Sequence, residues 1–205
     1  MKRFPGSLRT PVVILTGIRV ACYLDQLFIH ICLSEFPPAG YSDSDWAGDR
    51  KTGKSTSGGV ILLGRHLVKA WSRTQDAITL SSAEAELVTM GKLAMEVLGV
   101  RSMCEEWHLS DPSQISRLLA DASAALSITK RQGAGKMRHI DAKSLWLQEK
   151  AVQRVLAYDK VNGEDNPSDG LTKHVRRELI DKYLQIEGLE IRQDGADASL
   201  KLAGS

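Results

Sequence analysis

The sequence predicts an α/β domain: a mixed five-stranded sheet, three antiparallel strands followed by parallel ones, flanked by helices. Three observations predict it. Residues 40–74 hold three short strand-like stretches separated by turn residues, too close together for any connection but hairpins. A long stretch of helical periodicity follows. Beyond Asp111-Pro112, strand-like and helix-like segments alternate, the pattern that places parallel strands beneath crossover helices.

The first strand spans Gly40–Trp46, and the second, flanked by glycines, spans Ser57–Leu63. The third, Leu67–Trp71, follows a Gly64-Arg65 turn. Thr79-Leu80-Ser81-Ser82 opens a helix that runs to about Trp107. Either Ser81 or Ser82 can cap it, and Glu84 in the first turn suits the helix dipole. Leu87, Met90, Leu93, Ala94, Val97, Leu98 and Val100 supply one apolar face. Ile115–Ala120 then reads as a strand, Ala122–Lys130 as a helix and Gln132–Lys136 as a glycine-broken loop. Ile140–Lys150 reads as a helix, Val152–Val161 as a strand, Asn162–Pro167 as a turn and Ser168–Ile186 as a last helix. The domain is expected over residues 40–187. A divergent amino-terminal segment, 1–39, closes on Pro37-Pro38-Ala39-Gly40, and a polar tail, 188–205, is expected to fray.

Composition narrows the class. With 205 residues, 42% apolar and 25% charged, the chain reads as one globular domain with flanking segments. A net charge of +2 is no argument for a nucleic-acid partner, so any such argument rests on how the charges are distributed. Cys22, Cys32 and Cys104 form no Cys-x-x-Cys pair and no zinc-ligand spacing, which excludes a disulfide framework and fits a reducing compartment. The apolar run Pro11–Leu33 is interrupted by Arg19, Asp25 and His30 too often for a membrane span, and it lacks a signal-peptide cleavage site. It reads instead as a short strand or helix packed on the domain, or as foreign sequence.

The acidic residues carry the chemistry. Asp43 falls in the middle of the first strand, where a carboxylate is costly unless paired or bound to a cation. Asp121 ends the fourth strand, at the carboxyl edge where ligands of crossover sheets collect. Asp169 lies in the first turn of the last helix. Glu84 and Glu86 stand about 200° apart on the long helix, so only one can face the sheet. Glu86 heads the apolar row Met90, Leu93, Val97, Val100 and is the one expected to point inward. Taken singly, Asp121 and Asp169 read as helix caps or turn residues, and Asp45 and Asp49 as solvated. Four acids on separate elements of one sheet change that reading. Their convergence requires cations, hard oxygen ligands select Mg2+ or Mn2+, and two such ions suit phosphodiester hydrolysis.

Five ordered motifs then carry a resemblance. Gly40-Tyr41-Ser42-Asp43-Ser44-Asp45-Trp46-Ala47-Gly48-Asp49, Lys54-Ser55-Thr56-Ser57-Gly58 and Leu80-Ser81-Ser82-Ala83-Glu84-Ala85-Glu86 are the first three. Arg138-His139-Ile140-Asp141 and Asp165-Asn166-Pro167-Ser168-Asp169-Gly170-Leu171-Thr172-Lys173 follow. Over Gly40 to Ile186 the chain closely resembles the ribonuclease H region of copia-type retrotransposon Pol polyproteins. The resemblance implies the ribonuclease H-like fold and cleavage of the RNA strand of RNA–DNA hybrids during reverse transcription. It implies two Mg2+ ions, with Mn2+ as a substitute, and no small-molecule cofactor. Asp43, Glu86, Asp121 and Asp169 would be the catalytic and metal-holding set, with Asp43 bridging both ions. Asp169 would complete the ion that activates water, and Glu86 and Asp121 the ion at the leaving 3′-oxygen.

The same resemblance implies reverse transcriptase and integrase as neighbours in a parent polyprotein, no membrane, and a cytoplasmic virus-like particle or the nucleus as the location. The departures favour a second reading, a catalytically silent fragment that retains the fold or nucleic-acid binding. The family's usual Asp-Asn-Gln-Ser-Ala is here Asp121-Ala122-Ser123-Ala124-Ala125, and the Asn162–Ser168 loop lacks the histidine of many cellular ribonucleases H. Residues 1–39 are unlike the usual connection to reverse transcriptase.

Two basic groups are candidates for substrate contact: Arg50, Lys51 and Lys54 in the first hairpin, and Lys130, Arg131, Lys136 and Arg138 after Asp121. Flanking the carboxylate edge, they would neutralise phosphates on either side; otherwise they are a solvated surface. His139, near a helix start, is placed to cap or to touch a phosphate, the structural role being the more frequent.

Overall fold

The computed structural model describes residues 13–15, 18–20, 37–107, 111–131 and 142–189. Within the apolar run Pro11–Leu33, Val13–Leu15 (β1) and Ile18–Val20 (β2) pair antiparallel. Cys22 and Cys32, the loop Gln132–Lys136 and most of the tail lie outside the described residues. Cys104 is a buried free thiol.

The main sheet contains Ala39–Asp45 (β3), Thr56–Leu63 (β4), His66–Thr74 (β5), Ser116–Ala120 (β6) and Leu156–Lys160 (β7). Their order is β5-β4-β3-β6-β7. The β3–β4 and β4–β5 pairs are antiparallel, and β3–β6 and β6–β7 are parallel, as the spacing of the segments predicts. Gly64, at φ 61°, makes the tight turn between β4 and β5. β5 runs longer than the apolar stretch Leu67–Trp71, because its ladder with β4 continues to Thr56↔Thr74 through polar residues of no strand signature.

Helix α1 spans Ser82–Glu106. Ser81 is the N-cap: its Oγ accepts from the Glu84 N–H at 3.2 Å, and Glu84 Oε2 accepts from the Leu80 N–H at 2.7 Å. Glu84 is therefore a capping residue. Leu87, Met90, Leu93, Ala94 and Val97 of α1 pack on Ile61, Leu118, Ala120, Leu156 and Tyr158 of the sheet. Helices Ser123–Lys130 (α2) and Ala142–Val152 (α3) complete that core with Ala125, Leu126, Ile128 and Leu147. Burying each large side chain stabilises by about 1.5–3 kcal/mol.

The carboxyl-terminal part differs from the sequence reading in two places. The strand expected from Val152 begins only at Leu156, because α3 continues to Val152 and the chain then turns through Arg154 at φ 55°. The single helix expected over Ser168–Ile186 is two: Asp169–Thr172 (α4) and Arg177–Ile186 (α5). Lys173, extended at φ −144° and ψ 164°, ends α4 and turns its ammonium back toward the sheet's acids. No described helix is long and apolar enough to cross a membrane.

Candidate metal centre

Strand register places the first two acids. Ser42 pairs with Ala120 across parallel β3 and β6, so the next residues, Asp43 and Asp121, emerge side by side at the carboxyl edge. Asp43 is 1% exposed, in the central strand. On its other side it pairs with Gly58 of β4. A Cβ on Gly58 would lie 2.7 Å from Thr172 Cγ2 and 3.0 Å from the Ser168 carbonyl oxygen. The bare Cα is what lets α4 approach the sheet face that carries Asp43.

A buried polar clamp places the third acid. Asn166 is fully buried; its Nδ2 donates to the Ser42 carbonyl at 2.9 Å, and its Oδ1 accepts from Ser168 Oγ at 2.6 Å. The loop is thereby pinned to the backbone beside Asp43, and Asp169 follows at the start of α4. One oxygen from each of Asp43, Asp121 and Asp169 lies within 4.8 Å of the others.

Glu86 stands outside that group but faces it. Its Oε1 accepts from the Ser44 N–H at 3.1 Å, while Oε2 is buried without a hydrogen-bond partner. Burial, with Asp43 and Asp121 nearby, raises the Glu86 carboxyl to about 8 against the opposing Ser44 hydrogen bond. Burial and Asp43 also raise Asp121. Asp169 is raised to about 6 by burial, with Asp43 adding and the Lys173 hydrogen bond opposing. These acids therefore resist holding their full negative charge together.

Two neighbours from the end of α4 answer that charge. Lys173 Nζ lies 2.8 Å from Asp169 Oδ1 and 3.6 Å from Asp43 Oδ1. Thr172 Oγ1 donates to Asp43 Oδ2. Burial disfavours the Lys173 ammonium, but Asp169, Asp43 and Asp121 outweigh it and hold its pKa above the ordinary lysine value. A clustered set of carboxylate oxygens, beside an orphaned Glu86 oxygen, fits a hard divalent cation such as Mg2+ or Mn2+.

The basic candidates are placed less closely. Arg50 and Lys51 are exposed and Lys54 half-buried in the connection between β3 and β4. Lys130 is exposed at the end of α2, with Arg131 half-buried beyond it. Lys136, Arg138 and His139 lie outside the described residues. Sequence reasoning assigned no role to Asn166, Ser168, Thr172 or Lys173, although all four stand in the Asp165–Lys173 motif. It also missed Lys160, whose ammonium donates to Ser123 Oγ at 2.7 Å beside Asp121.

The sheet order and the helix packed on the sheet are those of the ribonuclease H-like fold. The solved structure of LC11-RNase H1, isolated from compost by a metagenomic approach, superposes with a TM-score of 0.51 at 17% identity. That match covers 72% of this chain and 97% of the other, and it shows the fold. Curated relatives of the chain include retrovirus-related Pol polyproteins of transposons. That of transposon TNT 1-94 from Nicotiana tabacum is 26% identical over 73% of this chain, and that of transposon RE2 from Arabidopsis thaliana 29% over 70%. The chain spans 11% and 10% of the length of these two relatives. No protein-family model matches it.

Proposed function

We propose that this domain hydrolyses the RNA strand of RNA–DNA hybrids as part of a retrotransposon Pol polyprotein, with Asp43, Glu86, Asp121 and Asp169 as its metal-holding acids. The observation that carries this reading is the convergence of Asp43, Asp121 and Asp169 oxygens within 4.8 Å at the carboxyl edge of a ribonuclease H sheet. Asp43 and Asp169 would hold one divalent ion, and Asp43, Glu86 and Asp121 the other. When bound, such ions activate water and stabilise the leaving oxygen of a phosphodiester. Asn166 and Ser168 keep Asp169 in reach of Asp43, and Ser44 orients Glu86. Arg50, Lys51 and Lys54, with Lys130, Arg131, Arg138 and His139, are the groups offered to the hybrid's phosphates. Contact with 2′-hydroxyls across the wide minor groove would select RNA. Reverse transcriptase and integrase would be the neighbouring parts of the parent polyprotein, working in a cytoplasmic particle or the nucleus.

The test is cleavage of a labelled hybrid with Mg2+ or Mn2+, wild type beside Asp43→Asn. We expect cutting of the RNA strand, lowered in the variant by about a hundred- to a thousandfold, the scale on which removing one preorganised charge-stabilising group lowers turnover. A folded wild-type protein that cuts with neither ion refutes the nuclease reading. Ala122, which offers no polar side chain beside Asp121, favours a second reading of hybrid binding without cleavage, and retention of hybrid in that experiment would support it.

A further inference from the structure

We propose that Lys173 is a tethered counter-ion of the metal centre: it occupies the Asp43–Asp169 side in the metal-free protein and must withdraw for a divalent ion to bind there. The inference rests on the metal-site reading above and concerns how the site loads. Both oxygens of Asp43 are engaged by the end of α4, Oδ1 by the Lys173 ammonium at 3.6 Å and Oδ2 by the Thr172 hydroxyl. The same ammonium lies 2.8 Å from Asp169 Oδ1. A divalent ion bound to those carboxylates needs the same oxygens, at about 2.1 Å for Mg2+. Two cations cannot share that space.

α4 stops after Thr172, and Lys173 leaves the helix in an extended conformation with its ammonium beside Asp169, the first residue of the helix, and Asp43 of β3. A continuous helix would have carried α4 directly into α5. The Lys173 side chain remains 45% exposed, so its head can move into solvent while the stem stays on the surface. Its charge offsets the mutual repulsion of Asp43, Asp121 and Asp169 until a metal ion replaces it. Lys173 is therefore a positioning residue, acting through the carboxylates it holds.

The experiment measures Mn2+ binding to the chelator-stripped protein by paramagnetic resonance of free Mn2+, together with thermal unfolding in chelator. Wild type is compared with Lys173→Met, Lys173→Gln and Lys173→Arg. We expect Lys173→Met and Lys173→Gln to bind Mn2+ about five- to tenfold more tightly, the scale of a partly exposed ion pair made to two acids. Both should unfold at lower temperature in chelator. Lys173→Arg, which keeps the charge, should retain wild-type affinity. Should Lys173→Met unfold without metal, the Gln variant carries the comparison. Wild-type binding with no gain in either neutral variant overturns the proposal while leaving the metal centre standing. No Mn2+ binding by any of the four proteins overturns both.

Discussion

Glu86 illustrates at the scale of one residue how the fold sets chemistry. Its carboxyl is pushed to about 8 from an ordinary 4.5, first by burial and then by Asp43. Between those values the folded chain keeps a proton that the unfolded chain has released, so stability falls as pH rises from about 4.5 and levels off above about 8. Asp169, raised to about 6 from 3.8, adds a decline with the same sign at lower pH. Glu86→Gln keeps the acceptor that meets the Ser44 N–H and removes the charge. We expect thermal unfolding in chelator to show the variant matching wild type near pH 4.5 and exceeding it increasingly toward pH 8. Parallel pH profiles for the two proteins would refute the assignment.

Among the elements, α4 is the most exacting, because it sits on the bare Cα of Gly58. Gly58→Val forces a side chain against Thr172 Cγ2 and the Ser168 carbonyl oxygen. Overpacking of this kind costs about 1–3 kcal/mol. Since α4 carries Asp169, the displacement should also weaken Mn2+ binding. Leu93→Ala in α1 provides the contrast: about 2–5 kcal/mol lost from the core, with Mn2+ affinity kept at temperatures where the variant is folded. Denaturant titration and Mn2+ titration on both variants separate site geometry from global stability. Equal Mn2+ affinities in wild type and Gly58→Val would show that α4 does not depend on this contact.

For the whole molecule, a divalent ion held at the acidic edge, as proposed, would make metal loading and folding one linked equilibrium. A divalent ion at a hundred times its dissociation constant stabilises by about 2.7 kcal/mol, or roughly 5–10 °C for a domain of this size. The gain should be larger at pH 8 than at pH 6, because Glu86 must release a proton before it can act as a ligand. Differential scanning calorimetry with and without Mg2+ or Mn2+ at the two pH values measures it directly. A metal-independent melting temperature at both would count against the centre.

The sheet's mixed character was legible in the sequence because period, turn residues and segment spacing are local properties, and short hairpin connections admit one pairing; that β6 joins at β3 was decided by the tertiary structure. The inward face of α1 was legible too, because the apolar row beginning at Glu86 assigns its orientation; the cap was narrowed to Ser81 or Ser82, and the structure decided for Ser81. Asp43, Asp121 and Asp169 could each be placed, at a strand centre, a strand end and a helix start. Taken singly, the last two read as caps or turn residues, and only the set of acids pointed to a cation. What only the tertiary structure decided is their relation. The parallel register Ser42↔Ala120 sets Asp43 beside Asp121, and Asn166 bonds to Ser42 across 124 positions of sequence. The break between α4 and α5 was equally hidden, because local propensity favours continuing the helix. At that break Lys173 pairs with Asp169 and Asp43 at the carboxyl edge, a contact that no local pattern announces.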